Sequence, residues 1–425
     1  MTFLKKLFGG DLRQFGMLLA LIVITLFFHV WTSGLVVTPQ NLINIIQGNA
    51  YILVLAIGMV FVIIAGHIDL SVGSVAAVVG IVVAKAMAEH QVPWFLAILL
   101  GLAIGALIGA WNGFWVAYVG VPGFIVTLSG YMLFRGMNQW IGKSVSIQTP
   151  PEFNVIGDGY LPEVGPNTGY NNLTVLIGLL ICAVIVAGAL RTRAAQRKIE
   201  ADLESPAILW TRLGLTCAAI MIVALLMASG RKGTSFPVSG MILGGLVLLY
   251  SFLANKTAIG RYVYAVGGNR NAAELSGVNS KRTYFLVMMN MSILAALAGM
   301  MFVGRSNGSG PADGVGWELD AIAAVFIGGA AVSGGVGTVI GSIIGGLVMA
   351  VLNNGLQLKG IGTDATAIIK GLVLLAAVAI DVVNKQQGRP SLIGRLLPGR
   401  PAPAVLPATE DPAQVGKTTS VQDTV

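Results

Sequence analysis

The chain has little charge and few of the residues that bind metals. Only 10% of its 425 residues are charged, against about a quarter in an ordinary soluble domain, so it lacks the surface that an aqueous globular protein presents. Two cysteines, Cys182 and Cys217, lie in separate apolar runs with no paired spacing. That pattern supports neither a disulfide framework nor a thiolate metal site. Three histidines, His29, His67 and His90, form no H-x-x-H pattern, so no metal is expected. No G-x-x-x-x-G-K-[ST] phosphate loop occurs: "GRKGTS" at 230–235 lacks the spacing, and "GGVGTVIGS" at 334–342 lacks the lysine. The chain therefore reads as a non-enzyme with no nucleotide site, no catalytic constellation and no cofactor of its own.

Apolar length is abundant. Hydrophobic residues make up 55% of the chain and the mean hydropathy is +0.82. A helix that crosses a bilayer needs about 20 apolar residues. Such runs stand at 14–33, 42–65, 70–87, 94–118, 122–141, 172–190, 207–229, 238–255, 283–304, 319–333, 338–357 and 364–383. The expected fold is all-α, a polytopic membrane bundle of about 10–12 transmembrane helices. The 319–333 run is short enough to be broken or re-entrant, and the start of 70–87 is a second candidate for such a segment. The lysine-led amino end resembles a signal peptide, but its apolar core is too long and no small-residue cleavage site follows, so a retained first helix is expected. One membrane domain is expected over 1–387. The tail 388–425, rich in Pro, Ala and polar residues, is expected to have no fold of its own.

The net charge of +8 does not point to nucleic acid, because the basic residues gather between apolar runs. Lys5, Lys6 and Arg13 precede the first run, and Lys385, Arg389, Arg395 and Arg400 follow the last. Arg191, Arg193, Arg197 and Lys198 form a third cluster; Lys256, Arg261, Arg270, Lys281 and Arg282 form a fourth. With twelve spans all four fall on one side, which the positive-inside rule makes cytoplasmic, along with both termini. The segment 142–171, with Glu152, Asp158 and Glu163 against the single Lys143, then falls outside.

Fifty-six glycines, many at small-residue spacings such as "GLAIGALIGAWNG" (101–113), suit helices that approach closely in lipid. Others frame polar residues. "GHIDLSVGS" (66–74) interrupts two apolar stretches with Gly66, His67, Asp69, Ser71, Gly73 and Ser74. An ionisable group at depth costs about 2.5–3.5 kcal/mol on insertion scales and normally faces a cavity or a partner. This segment therefore either borders a translocation pathway at a broken helix, or is a turn in which Asp69 caps the helix from about Leu70; the two roles are compatible. A second segment, "ELDAIAAVFIGGAAVSGGVGTVIGS" (318–342), carries Glu318, Asp320, Gly335 and Gly337, and its Val336-Gly337-Thr338-Val339 echoes Val72-Gly73-Ser74-Val75. Lys370, inside the last run, reads as the neutraliser of a carboxylate across the bundle, with a place on the path as the alternative. Trp111 and Trp115 read as interfacial anchors in preference to sugar-stacking rings.

Taken together, "GMVFVIIAGHIDLSVGSV" (58–75), "GRYVYAVGGNRNAAELSGVNSKRT" (260–283) and the 318–342 block resemble, in order and over about 42–385, the membrane permease subunits of bacterial monosaccharide ABC importers of the ribose/xylose type. Gly66-His67-Ile68-Asp69-Leu70-Ser71 departs from the Gly-Gly-Ile-Asp-Leu-Ser usual in the ribose branch. With the extra helical material around 191–255, it looks more like the xylose or multiple-monosaccharide branch. The resemblance implies a subunit of the bacterial inner membrane that works with a second permease copy, separate cytoplasmic ABC ATPase subunits that consume the ATP, and a periplasmic sugar-binding protein. It also implies that the loop 256–282 docks on the ATPase. There "NAAELSGV" can form a short helix, with Asn271 near its start and Gly277 ending it. Ala272, Ala273, Glu274, Leu275 and Ser276 would form the contact, Glu274 toward the partner and the alanines with Leu275 for close packing. The 142–171 loop would receive the loaded binding protein. Other classes remain to be weighed: a branched-chain amino acid permease with the same architecture, and a proton-coupled secondary transporter using Asp69 and His67 as a relay.

Overall fold

Apolar runs of this length fold as helices because lipid offers no partner for backbone N–H and C=O groups. The computed structural model of the protein describes residues 12–198, 205–230 and 235–386; the expected tail at 388–425 lies outside them. In chain order, α1 is Leu12–Trp31, α2 Pro39–Ile64 and α3 Val72–His90. α4, Trp94–Phe114, runs into a π turn at Trp115–Val119, and α5 is Gly123–Ile141. A short strand β1 (Ile147–Gln148) and α6 (Pro151–Asp158) follow, then the helical hairpin of α7 (Asn172–Lys198) and α8 (Pro206–Ala228). α9 is Val238–Lys256, α10 Ala258–Gly268, α11 Arg270–Leu275 and α12 Ser280–Ser306. After β2 (Gly308–Ser309) come α13 (Trp317–Ile327), α14 (Val339–Leu358) and α15 (Thr363–Gln386). All belong to the compact unit that runs to Asp381, apart from the last residues of α15.

Each of the twelve apolar runs contains a helix, and the chain is a polytopic helical membrane bundle. Eight helices among the described residues are long and apolar enough to cross a membrane, and Gly16–Trp31 is a shorter apolar one. The 319–333 run is helical only as far as Ile327: α13, 11 residues long, rises about 16 Å before a glycine-rich stretch begins at Gly328. A side chain at Gly328 would stand 2.3 Å from the Gly341 carbonyl oxygen, so the chain turns where the start of α14 crosses it.

α2, α3, α12 and α14 form the core, with two-thirds or more of their apolar windows buried, whereas α7 and α8 lie at the periphery with 17% buried each. The small-residue seam on α4 receives α12 directly. A Cβ at Gly105 would lie 2.6 Å from that of Ala296, and one at Gly109 would lie 2.6 Å from the Met289 Cα. At such separations dispersion between backbones replaces the hydrophobic driving force that lipid does not supply. The two cysteines, from separate apolar runs, come together in the fold. α7 and α8 run side by side, and the Cys182 thiol reaches the Cys217 carbonyl oxygen at 3.7 Å; both thiols are free.

Loops gather at two ends. At one end β1 pairs antiparallel with β2, Ile147 opposite Ser309, and Tyr160 bridges to Pro237. At the other, the end of α2, the end of α10 and the stretch before α14 converge, with Gly335 N–H donating to the Ile64 carbonyl at 2.8 Å. α12, 27 residues long, joins the two ends, so the 142–171 and 257–279 segments lie on opposite faces of the bundle.

Candidate functional site

The signature stretch is built from two turns. α2 closes with Gly66 in the left-handed region (φ 85), Gly66 N–H donating to the Ile63 carbonyl and His67 N–H to the Val62 carbonyl. This is a Schellman ending, and it requires glycine at the left-handed position. Asp69 then forms an Asx turn: its Oδ1 accepts from the Ser71 backbone N–H at 2.8 Å and from the Ser71 hydroxyl at 2.6 Å. α3 starts on the next residue. Asp69 is 1% exposed. Asn112 on α4 donates to the Ser71 hydroxyl at 3.3 Å, and Thr127 on α5 donates to the Ile68 carbonyl at 3.2 Å. The carboxyl oxygen thus accepts from the backbone N–H just before α3, at the positive end of the helix dipole. Asp69 Oδ2, Ser74 Oγ and Asn112 Oδ1 are buried polar atoms with no partner among the described residues. His67 stands edge-on to the Tyr284 ring at 4.5 Å and lies over Gly123, where a Cβ would meet Nδ1 at 2.8 Å.

The first-half and second-half signatures meet at Gly73. A Cβ there would lie 2.1 Å from the Gly314 carbonyl oxygen and 2.7 Å from Glu318 Oε2, while one at Gly314 would lie 2.0 Å from the Gly73 carbonyl oxygen. Glu318, 8% exposed, therefore also lies against the start of α3. Arg135 on α5 holds the same loop by donating to the Asp313 carbonyl. Asp320 stands apart from these residues and pairs with Lys370 of α15, Nζ lying 2.7 Å from Oδ1. The two side chains are 13% and 25% exposed, respectively. Breaking a buried pair from one side leaves an uncompensated charge at a cost of about 3–5 kcal/mol. Lys370→Met is therefore expected to lower the melting temperature of the purified permease markedly. Lys370→Met/Asp320→Leu should recover most of that loss in the same thermal unfolding measurement.

The four-residue echo between the halves is out of register. Val72 is the first residue of α3, capped by Ser71, so Ser74 lies inside the helix. Thr338 is itself the cap of α14, its hydroxyl accepting from Gly341 N–H at 3.0 Å. Both stretches start a helix, at positions three residues apart in the motif.

The basic loop folds as α10, α11 and a turn. Asn269, not Asn271, caps α11, accepting from Ala272 N–H at 3.0 Å. Gly277 (φ 85) ends the helix: its N–H donates to the Glu274 carbonyl, and Val278 N–H donates to the Ala273 carbonyl. Two of the expected contact residues have defined surroundings within the chain. Glu274 is bound within the chain, 2.9 Å from Arg270 Nε and accepting from the Ser280 hydroxyl. The Ser280 hydroxyl first, and then the Arg270 guanidinium, hold its carboxyl below the usual carboxylate range. Ala273 is buried, whereas Leu275 is 91% exposed, an apolar tip on a charged end of the bundle.

Directly behind α11 lies a three-way backbone joint absent from the sequence reading. A Cβ at Gly267 would stand 1.6 Å from the Ile64 carbonyl oxygen, the atom that accepts from Gly335 N–H. A Cβ at Gly335 would lie 2.7 Å from the Gly268 Cα, and one at Gly334 would lie 3.2 Å from the Gly66 Cα. The Tyr264 hydroxyl donates to the Gly337 carbonyl at 2.7 Å. The tandem glycines at 267–268 and 334–335 were the available signal, as was Arg135, the one charged residue in its run.

On the opposite face, α6 is seated by buried Phe153 and by Gly157, where a Cβ would lie 2.2 Å from the Met301 carbonyl oxygen. Glu152 faces outward; Asp158 accepts from Gln47 at 2.9 Å. Trp111 also points away from the bundle, its ring 5.5 Å from that of Trp115.

Residues 41–378 match the family described as "Branched-chain amino acid transport system / permease component". A xylose transport system permease protein of Haemophilus influenzae is 38% identical over 385 residues, covering 90% of this chain and 99% of that protein. A xylose transport system permease protein of Escherichia coli K12 is 39% identical over 380 residues, 89% of this chain and 93% of that one. A ribose import permease protein of the same strain is 31% identical over 350 residues, 82% of this chain and 87% of that one. No solved structure matches at a significant level.

Proposed function

We propose, because this chain belongs to the permease-component family of ABC importers and to its ribose/xylose type, that it forms the inner-membrane path by which a monosaccharide, xylose or several related sugars, enters the cell. The observation that carries the sugar reading is the 38–39% identity to two xylose permeases over nearly the whole chain. The family description names branched-chain amino acids, but the more similar relatives are named for sugars, which favours the sugar. In this reading ATP is hydrolysed by separate ATPase subunits beneath α11, a periplasmic binding protein delivers the sugar to the β1–α6 face, and a second permease copy completes the pore. Both termini lie in the cytoplasm, on the side of the basic clusters.

The chain's own residues have mechanical roles. Leu275 is the apolar knob offered to a groove on the ATPase, a helix-in-groove contact. The Gly267–Ile64–Gly335 joint carries displacement of α11 to the ends of α2 and α14 together, since backbones in contact cannot slide independently. The Asx turn at Asp69 and the Gly73–Gly314 contact pass that movement to the start of α3 and the loop before α13, where the orphaned polar atoms lie. A proton-coupled secondary transporter is disfavoured, because the similar relatives are named as permeases of sugar transport systems over nearly their whole length.

The reading is tested by expressing the chain, with its ATPase and binding protein, in cells deleted for their own pentose importers. Labelled xylose uptake above ribose and leucine uptake is expected. Leucine uptake without xylose uptake would reject the sugar reading.

A further inference from the structure

A crevice of about 510 Å³ opens between α9, α10 and α12 at the basic end of the bundle. It runs along α12 from Arg282 to Ile293, a rise of about 16 Å, or about half of a 30 Å hydrocarbon layer. Its depth is that of one leaflet. The walls are apolar: Phe61, Leu253, Val263, Leu286, Val287 and Ile293. The two polar groups farther in, Tyr250 and Asn290, are hydrogen-bonded to each other, the tyrosine hydroxyl donating to the amide oxygen. On the outer side α9 presents Leu248, Leu249 and Phe252 to the surroundings, the face a lipid-embedded helix turns to the bilayer.

The mouth is chemically different. Arg282 and Asn279 line it, and Lys256, Arg261 and Lys281 belong to the same basic stretch of chain, all exposed. The Arg282 guanidinium takes no partner among the described residues. Glu274, the nearby acid, is already held by Arg270 and Ser280. A one-leaflet apolar slot under an unpaired guanidinium matches one kind of molecule, a lipid with an aliphatic tail and an anionic head. Basic pockets between membrane helices are recognised sites for such headgroups, and guanidinium suits phosphate through its forked donors.

We propose that this crevice binds one acyl chain of an anionic glycerophospholipid, with the phosphate at Arg282. The site abuts the turn between α11 and α12, Gly277 being part of its lining, so an occupied slot braces the base of the exposed segment. The inference rests on the chain's place in a membrane, not on which sugar it carries.

The test is native mass spectrometry of the full-length chain exposed to equal amounts of phosphatidylglycerol and phosphatidylcholine with identical acyl chains. Wild type should retain phosphatidylglycerol over phosphatidylcholine by about fivefold, the ratio expected from one arginine at a lipid headgroup. Arg282→Gln should lose that preference, and Ile293→Trp, which fills the slot, should lose both adducts. Equal retention by wild type, or an undiminished preference in Arg282→Gln, overturns the proposal. Because Arg282 is exposed and its exchange is tolerated by the fold, this arm decides the matter whether or not Ile293→Trp folds.

Discussion

Gly267→Ala is expected to reduce ATP-driven sugar uptake by about tenfold or more while the permease still inserts and still co-purifies with its ATPase. The added carbon would lie 1.6 Å from the Ile64 carbonyl oxygen, whose Gly335 partner sits at 2.8 Å. Overpacking of this kind costs about 1–3 kcal/mol, and an equilibrium that needs the joint closed shifts by about 5–150-fold for that energy. The knob at Leu275 is untouched, which separates the motion from the docking. Tyr264→Phe, which removes the bond to the Gly337 carbonyl without adding volume, should give a smaller loss of the order of 1 kcal/mol. Uptake by Gly267→Ala within about twofold of wild type would show that the joint transmits nothing.

The second large effect belongs to Leu275→Glu. A residue 91% exposed contributes little to the fold, and such exchanges usually change stability by no more than about 0.5 kcal/mol. As an interface anchor the same leucine is worth about 2 kcal/mol or more, about 30-fold in affinity. The purified variant should melt like wild type, bind the ATPase about 30-fold more weakly and fail to import sugar. Ala273, which the sequence also placed in the expected contact, is a poorer probe because it is buried and a bulky replacement would disturb α11 itself. Wild-type affinity in Leu275→Glu would place the docking contact elsewhere.

Much of the fold was legible because lipid imposes a simple rule: a helix long enough to satisfy its own backbone. The run at 94–118 appears as Trp94–Val119 and the run at 238–255 as Val238–Lys256. The broken character of 319–333 was also readable, from its shortness and its glycines. Tertiary partners were not. Lys370 finds Asp320 fifty residues away, and the sequence offered Glu318 equally well. Cys182 and Cys217 meet because their helices form a hairpin, which spacing alone does not reveal. Asn269 caps α11 two positions before the asparagine expected at its start, since either could serve and the path of α10 decides between them. The Gly267 joint was only half legible: the tandem glycines stood out, but they do not say that backbones from three distant segments meet at them.

The central claim is that this chain is a passive conduit moved from its basic end by a separate motor. Reconstituting the purified chain in vesicles, alone and then with ATPase, binding protein and ATP, and following labelled xylose against its gradient tests that claim most directly. Accumulation only when all three partners are present is the expected result. Sustained accumulation by the chain alone would contradict it.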